Sequence, residues 1–358
     1  MNSSPAVVTG ISGGVDSAVA ACLLRKEGYR VIGINIRILD THVENPSLHP
    51  SPLVVSDHPD FQIPVFSLNL SAKFFDEVIL YFRNEYISGR TPNPCMVCNR
   101  TIKWYGLLEG ARMIGAEKIA TGHYARTSFS DGRYRLLKGC DQQKDQSYFL
   151  WMLRQSDLSK TLLPLGGLKK PEVRELARTF GVRAAEKKES QEICFVPNDD
   201  YSAYLKNSMP GLEEQVSGGE IVDAGGRVLG RHRGYPFYTI GQRRGLGISA
   251  QEPLYVTGVD PQHNRIRVGS KDDLECRSLT ASGLNWIGIE PPSSAFETAA
   301  RIRYRDRETP CSVEPLDRNE ARVAFRTPKH AVTPGQAVVF YRSDEVLGGG
   351  IIDTVHQS

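Results

Sequence analysis

The residues with the clearest capacity for chemistry are Ser12-Gly13-Gly14-Val15-Asp16-Ser17, close to the start of the chain. Two glycines let a backbone turn approach an anion closely. The amides that open a helix, with the hydroxyls of Ser12 and Ser17, then aim donors at a phosphate. No lysine stands where a Walker loop requires one and there is no G-x-G-x-x-G, so neither of the two common nucleotide fingerprints is present. Asp16 is the residue that would hold Mg²⁺ beside bound phosphates.

A second group is built on sulfur. Cys95 and Cys98 form a C-x-x-C inside Thr91-Pro92-Asn93-Pro94-Cys95-Met96-Val97-Cys98-Asn99-Arg100, and Cys194 follows Lys187, Lys188, Glu189, Ser190, Gln191, Glu192 and Ile193. A thiol at a helix start has its thiolate favoured by the amide dipoles, and Arg100 and Lys103 would add positive charge. A structural zinc would need two further ligands, but no second C-x-x-C or C-x-x-H exists, and the flanking pattern is not that of a thioredoxin. Cys22, Cys140, Cys276 and Cys311 are isolated and read as ordinary packing residues.

The elements that must position these groups follow from periodicity. Ala6 to Ile11 reads as a strand, Ser17 to Glu27 as a helix closed by Gly28, Arg30 to Ile38 and Ile63 to Leu68 as strands, Ser71 to Ser88 as a helix and Glu117 to Thr121 as a strand. Strands alternating with helices imply an α/β, doubly wound parallel sheet. Residues 40 to 60, with Pro46, Pro50, Pro52, Pro59, His42, His49 and His58, read as an exposed loop. Lys144 to Gly181 reads as helical, ending in an amphipathic helix from Pro171. Beyond about residue 205, short runs at Gly219 to Asp223, Leu254 to Val259, Ile266 to Val268, Arg322 to Phe325 and Ala337 to Tyr341 have the spacing of a barrel or sandwich. We expect a catalytic domain over 1–205, a small β-rich central domain over 206–278 and a C-terminal β-barrel over 279–358.

Composition narrows the setting. A chain of 358 residues with 40% apolar and 24% charged residues is folded, and a net charge of +3 is too small for a polybasic nucleic-acid coat, so any RNA contact must be a local patch. No apolar segment is long enough for a membrane span, and the opening residues carry no secretory pattern. Seven cysteines, an odd number in a long chain, fit a reducing compartment, and the expected location is cytoplasmic.

Seven motifs in order complete the reading: SGGVDS (Ser12 to Ser17), GRTPNPCMVCN (Gly89 to Asn99), TGHYAR (Thr121 to Arg126), KDQSYFL (Lys144 to Leu150), SQEICF (Ser190 to Phe195), YTIGQRRGLG (Tyr238 to Gly247) and VTPGQ (Val332 to Gln336). The first resembles the pyrophosphate loop of the N-type ATP pyrophosphatases, and the set resembles the tRNA-specific 2-thiouridylases, the MnmA/TrmU family. The resemblance implies adenylation of O2 of a wobble uridine by ATP and its replacement by sulfur, with cysteine persulfide and disulfide chemistry. It makes Cys98 the nucleophile and Cys194 the persulfide carrier. Gly10, Ile11, Ser12, Gly13, Gly14, Val15, Asp16, Ser17, Ile36 and Gly122 would contact ATP. Asn93, Pro94 and Cys95 would meet the target base, and His123, Lys144, Asp145, Gln146, Arg303, Tyr304 and Gln336 the tRNA. The implied partners are tRNA and a persulfide-donating sulfur carrier or cysteine desulfurase, with no membrane.

The best-known bacterial members carry Asp where this chain has Cys95 and Met where it has Ile36. Three thiols, Cys95, Cys98 and Cys194, therefore leave two mechanisms open: a two-thiol persulfide relay, or a 4Fe-4S cluster with one iron free for hydrosulfide. Two basic clusters offer RNA contacts: Arg227, Arg231, Arg233, Arg243 and Arg244 with Tyr235, Phe237 and Tyr238, and an alternating row of Arg301, Arg303 and Arg305. An adenylating amide or amidine synthetase and a non-enzymatic RNA-binding protein are the competing readings.

Overall fold

The computed structural model describes residues 4–39, 47–186 and 193–357. The part of the proline-rich loop at 40–46 and the run Lys187 to Glu192 lie outside the described residues.

A six-stranded sheet forms the front of the molecule. Its order is Leu48–Pro50, Val65–Asn69, Arg30–Arg37, Ala6–Gly10, Lys118–Ala120 and Thr161–Leu162. Every pairing is parallel except that of Leu48–Pro50. The doubly wound α/β expectation holds. The helix Val15–Lys26 covers one face with Val15, Ala18, Val19 and Cys22 buried, and it packs against Lys170–Thr179 through Val173 and Ala177. The other face carries a helical run of Pro94–Cys98, Asn99–Trp104 and Tyr105–Ile114, in which Ile102, Trp104, Leu107 and Ala111 face the core.

Two expectations are corrected. Leu48–Pro50 is an edge strand within the stretch read as loop; proline is tolerated there because an edge strand need not donate on its open side. Residues 144–181 are only partly helical: Ser147–Leu150 and Gln155–Leu158 are single turns, and Thr161–Leu162 is a strand that ends the sheet. Apolar residues in short pieces carry no period long enough to separate these states.

The back of the molecule is all-β. Strands Val228–Arg231, Glu220–Val222, Arg265–Gly269 and Tyr255–Asp260 form a small sheet. Glu275–Trp286, Glu320–His330, Thr309–Pro315, Phe296–Arg301, Ala337–Arg342 and Glu345–Gln357 close into a six-stranded barrel, because Glu275–Trp286 also pairs with Glu345–Gln357. Its interior holds Leu279, Ile302, Val313, Val323, Phe340 and Leu347. The hairpin Ala125–Ser130 and Arg133–Lys138 leaves the front of the chain and joins this barrel through Glu345 and Val346. Sheet pairing thus runs across the sequence intervals proposed as domains.

Candidate functional site

The glycine loop is preorganised by its own side chains. Ser17 Oγ accepts from the Ser12 amide at 3.2 Å, lies 3.2 Å from Ser12 Oγ and donates to the Gly14 carbonyl at 3.0 Å, tying both ends of the turn together. Gly13 has φ +75°, a conformation open to glycine at little cost. The amides that open Val15–Lys26 have no intrahelical acceptors, which leaves them for an anion. Asn35 Nδ2 donates to the Ile11 carbonyl at 2.8 Å and holds the loop to the neighbouring strand. Gly122 completes the cradle: a Cβ there would stand 2.8 Å from the Asp16 carbonyl carbon and the Ser17 nitrogen, so only glycine lets this segment close on the loop. Ile36 packs on the helix Tyr105–Ile114, its Cδ1 in the space a side chain at Gly106 would need.

Asp16 is not free to act as expected. Lys170 Nζ donates to both of its carboxylate oxygens, at 2.6 and 2.8 Å, and Tyr124 OH donates to Oδ1 at 2.8 Å. A divalent cation on this carboxylate would have to displace an ammonium, so the residues as arranged do not fit Mg²⁺ held by Asp16.

The sulfur groups stand on the opposite helix. Cys95 and Cys98 lie in Pro94–Cys98, entered through Asn93 in extended conformation with Pro94 in the first turn. Cys98 is buried and Cys194 exposed, the latter fixed by Phe195, which packs edge-on against Phe74, Phe82 and Tyr204. Burial pushes the Cys98 thiol up to about 12, with Lys103 pulling down and Cys194 and Cys95 adding to the rise. Cys95 is also raised, mainly by burial, and Cys194 by the protein packed around a side chain that still reaches the surface; Lys103 opposes both. The three thiols thus lie within electrostatic reach of one another. The expected low-pKa thiolate at Cys98 is corrected: desolvation outweighs one exposed lysine, and the thiol is stored protonated. Arg100, expected beside the thiols, lies instead among Arg154, Asp157 and Glu77. Among the described residues no three His, Cys, Asp or Glu side chains stand where they could hold a metal ion. The thiols as they stand therefore do not present the ligand set that a 4Fe-4S cradle needs.

His123 links the two halves of the site. It follows Gly122, lies 5.4 Å from the Trp104 ring at a tilt of 44° and pairs through Nδ1 with Thr121 Oγ1 at 2.9 Å. Burial and then Lys103 hold it well below the ordinary histidine range, so it is a neutral imidazole.

The residues assigned to tRNA divide into two kinds. Arg303 is exposed, with Nη2 donating to the His330 carbonyl at 3.2 Å, and Tyr304 is half-buried against Phe149 at 4.5 Å. Lys144 is half-buried. Asp145 is 3% exposed and accepts from the Gly139 and Ser147 amides, Ser147 Oγ and Arg301 Nη1, so its carboxylate is committed to the fold. Gln146 Oε1 accepts from the Tyr124 amide. Gln336 Nε2 donates to the carbonyls of Thr91 and Pro92 at 2.9 and 3.3 Å, and the Thr91 amide donates to Pro334. The VTPGQ turn of the barrel therefore grips the segment that leads into Asn93.

Both basic clusters are corrected. The strand ends at Arg301, which turns inward to Asp145 and Glu308 and lies over the Tyr341 ring at 4.7 Å, so it does not align with Arg303 and Arg305. Tyr235, Phe237 and Tyr238 are core residues, and Arg227 and Arg231 are engaged by Asp223 and the Gly218 carbonyl. Arg233, Arg243 and Arg244 remain exposed. Lys170 and Tyr124 were missed as site residues. The available signal was a Lys169-Lys170 pair at a helix N-terminus, where the dipole disfavours cations.

Family models match in chain order: the tRNA methyl transferase HUP domain over residues 5–198, the tRNA methyl transferase PRC-barrel domain over 211–270 and the aminomethyltransferase beta-barrel domain over 276–352. Among similar proteins named tRNA-specific 2-thiouridylase MnmA, one from Chlorobium phaeobacteroides strain DSM 266 is 68% identical over 351 residues, covering 98% of each chain. One from Chlorobaculum tepidum is 66% identical over 356 residues, 99% of this chain and 97% of its own. A more distant one from Geotalea uraniireducens is 48% identical over 366 residues, 98% and 96% of the two chains. With the phosphate cradle, the paired thiols and the barrel in this order, the chain belongs to the tRNA-specific 2-thiouridylase family.

Proposed function

We propose that this protein is an ATP-dependent tRNA 2-thiouridylase, a sulfurtransferase that works in the cytoplasm on wobble uridines. The observation that carries the reading is the Cys95–Cys98 helix packed over the sheet whose first strand runs into the phosphate cradle, with Cys98 buried and Cys194 exposed. Nucleotide activation and sulfur delivery then face a single substrate atom.

In this reading O2 of the uridine attacks the α-phosphorus of ATP held over Gly13 to Ser17. The bond to the β-phosphate breaks, pyrophosphate leaves with its electron pair and the uracil N3 proton is lost. A sulfur carrier or cysteine desulfurase loads a persulfide on Cys194, the exposed member of the Cys95, Cys98 and Cys194 group. Its terminal sulfur attacks C2 and AMP departs, leaving uridine joined to Cys194 by a disulfide. The Cys98 sulfur attacks Sγ of Cys194, and the S–S electron pair passes to the transferred sulfur. 2-Thiouridine leaves, taking up the proton that Cys98 gives. The Cys98–Cys194 disulfide is reset by a dithiol reductant. A protonated Cys98 is suited to this order, because it does not compete for the persulfide before substrate arrives.

Asn93, Pro94 and Cys95 stand at the helix start to meet the base, and exposed Arg303 with half-buried Lys144 and Tyr304 would meet the tRNA. The test is purified protein with ATP, a persulfide donor and unmodified tRNA, alongside Cys98→Ser and Cys194→Ser. 2-Thiouridine from wild type and none from either variant is expected. Thiolation by Cys194→Ser at the wild-type rate would overturn the reading. An amide synthetase would instead release pyrophosphate with a small amine and no RNA.

A further inference from the structure

We propose that Arg90 is a positioning residue for sulfur transfer: its guanidinium ties the segment that enters the thiol helix to the last strand of the barrel. The inference rests on the thiolation reading above and names the side chain that sets where Cys95 and Cys98 stand.

Residues 88–93 join the helix Leu80–Ile87 to Pro94–Cys98 and form neither helix nor strand. Pro92 and Pro94 have no amide hydrogen, so no sheet ladder can hold this stretch. The barrel holds it instead. The Thr91 amide donates to the Pro334 carbonyl at 2.8 Å, and Gln336 donates back to the Thr91 and Pro92 carbonyls. The approach is so close that a Cβ on Gly335 would stand 3.0 Å from the Thr91 nitrogen, the Thr91 carbonyl carbon and Glu85 Oε2. On another side the central sheet takes part: Tyr235 OH donates to the Ile87 carbonyl at 2.9 Å, and a Cβ on Gly89 would stand 2.7 Å from Pro261 Cγ. The front sheet's helices, the central sheet and the barrel therefore all meet on the few residues that lead into the thiols.

Arg90 is the cation of this junction. Its Nε donates to Glu85 Oε2 at 2.8 Å, and its Nη2 donates to the Ile352 carbonyl at 3.2 Å and pairs with Asp353 Oδ1 at 2.9 Å. The fork thus reaches from the helix before the segment to the final strand, Glu345–Gln357, a span that the single ammonium of a lysine does not reproduce. Its side chain is 22% exposed, so the pairs are only partly screened by water. Cys95 and Cys98 follow on the helix that opens at Pro94, and any shift of the segment is carried into them. A misplacement of about 1 Å at the reacting atoms can cost about 100-fold in rate. Arg90 therefore acts on the attack of Cys98 on the Cys194 sulfur through the backbone it holds, without touching substrate.

The experiment compares wild type with Arg90→Gln, Asp353→Asn and the double variant. The readouts are kcat and KM for tRNA thiolation and the alkylation rate of each cysteine in resting protein. Expected for Arg90→Gln are a kcat down about 10- to 100-fold with the KM for ATP within about twofold of wild type. Cys95 and Cys98 should label faster, while Cys22 and Cys311, buried in other parts of the fold, should label as in wild type. Asp353→Asn should show the same pattern in weaker form, and the double variant should be no slower than Arg90→Gln alone, because both changes break one shared contact. A folded Arg90→Gln protein with kcat within about twofold of wild type would overturn the proposal. So would faster labelling of Cys22 and Cys311 in step with Cys98, since the loss would then be a general loosening of the fold. If Arg90→Gln does not fold, Asp353→Asn decides on the same readouts and the same limits. A wild type that never thiolates tRNA would sink the thiolation reading itself, a result distinct from active variants.

Discussion

The protonated state of Cys98 is open to a direct kinetic test. Its thiol is raised from 9.0 to about 12 because it is buried. At about pH 8 a thiol of the ordinary value is roughly one-tenth ionised and Cys98 roughly one ten-thousandth, so about a thousandfold fewer thiolates are available. Each is the more nucleophilic by about 1.5 decades, taking a dependence of about half a decade for each of the three decades of basicity. The net expectation is alkylation of Cys98 by iodoacetamide about 30-fold slower than a model thiol, before any further loss from poor access. The assay is timed alkylation of resting protein at several pH values, with peptide mass mapping of each cysteine. Exposed Cys140 serves as the internal comparison, and Cys194 should label ahead of Cys98. The rate at Cys98 should still be rising at the highest pH the fold tolerates. A Cys98 rate that levels off near neutral pH would refute the assignment of burial as the dominant influence. It would restore a thiolate made by helix amides and Lys103.

Asp145→Asn should lower stability by about 1.5–3 kcal/mol, the scale for a hydrogen bond to a charged group, because Arg301 loses one of its two carboxylate partners and keeps Glu308; thermal melting measures this, and an unchanged Tm would contradict the buried role. Gln336→Ala removes two hydrogen bonds to the Thr91–Pro92 backbone, so it should cost about 1–2 kcal/mol and lower thiolation kcat while leaving the KM for ATP unchanged. Since His123 is held neutral by burial, its folded-state pKa lies below the unfolded value of 6.5. Its stability contribution is therefore present above about pH 6.5 and lost as pH falls, when only the unfolded chain binds the proton. His123→Gln should flatten part of that acid limb in Tm measured against pH, and His232, also lowered by burial, should account for more of it.

Much of the site could be read before the fold because its chemistry is local. The Ser12–Ser17 loop states its anion-binding geometry in six consecutive residues, and the strand before it and helix after it follow from short-range pattern. Pro94 and the C-x-x-C likewise mark a helix start. What sequence misjudged depends on contacts between distant segments. Arg301 looked like one of three aligned arginines, but its partners Asp145 and Glu308 come from another loop and from beyond the strand's end. Tyr235, Phe237 and Tyr238 looked like stacking platforms beside arginines, yet they fill the core under the central sheet. The Cys98 shift arises because its side of the helical run, with Met96, Ile102 and Trp104, is buried in the core, and local charge alone suggested the opposite sign. Lys170 lies 154 residues from Asp16, and only the packing of their two helices brings them together.

The central claim, that one chain activates a tRNA uridine with ATP and delivers sulfur through two thiols, is tested most directly by single-turnover thiolation. The protein is loaded beforehand with persulfide on Cys194 and given ATP and tRNA without an outside sulfur donor or reductant. The account predicts one 2-thiouridine formed for each loaded Cys194, with AMP and pyrophosphate in equal amount and a Cys98–Cys194 disulfide in the spent protein. Thiolated tRNA from protein whose Cys98 and Cys194 both remain reduced thiols, or activity that tracks bound iron and not the persulfide, would contradict it.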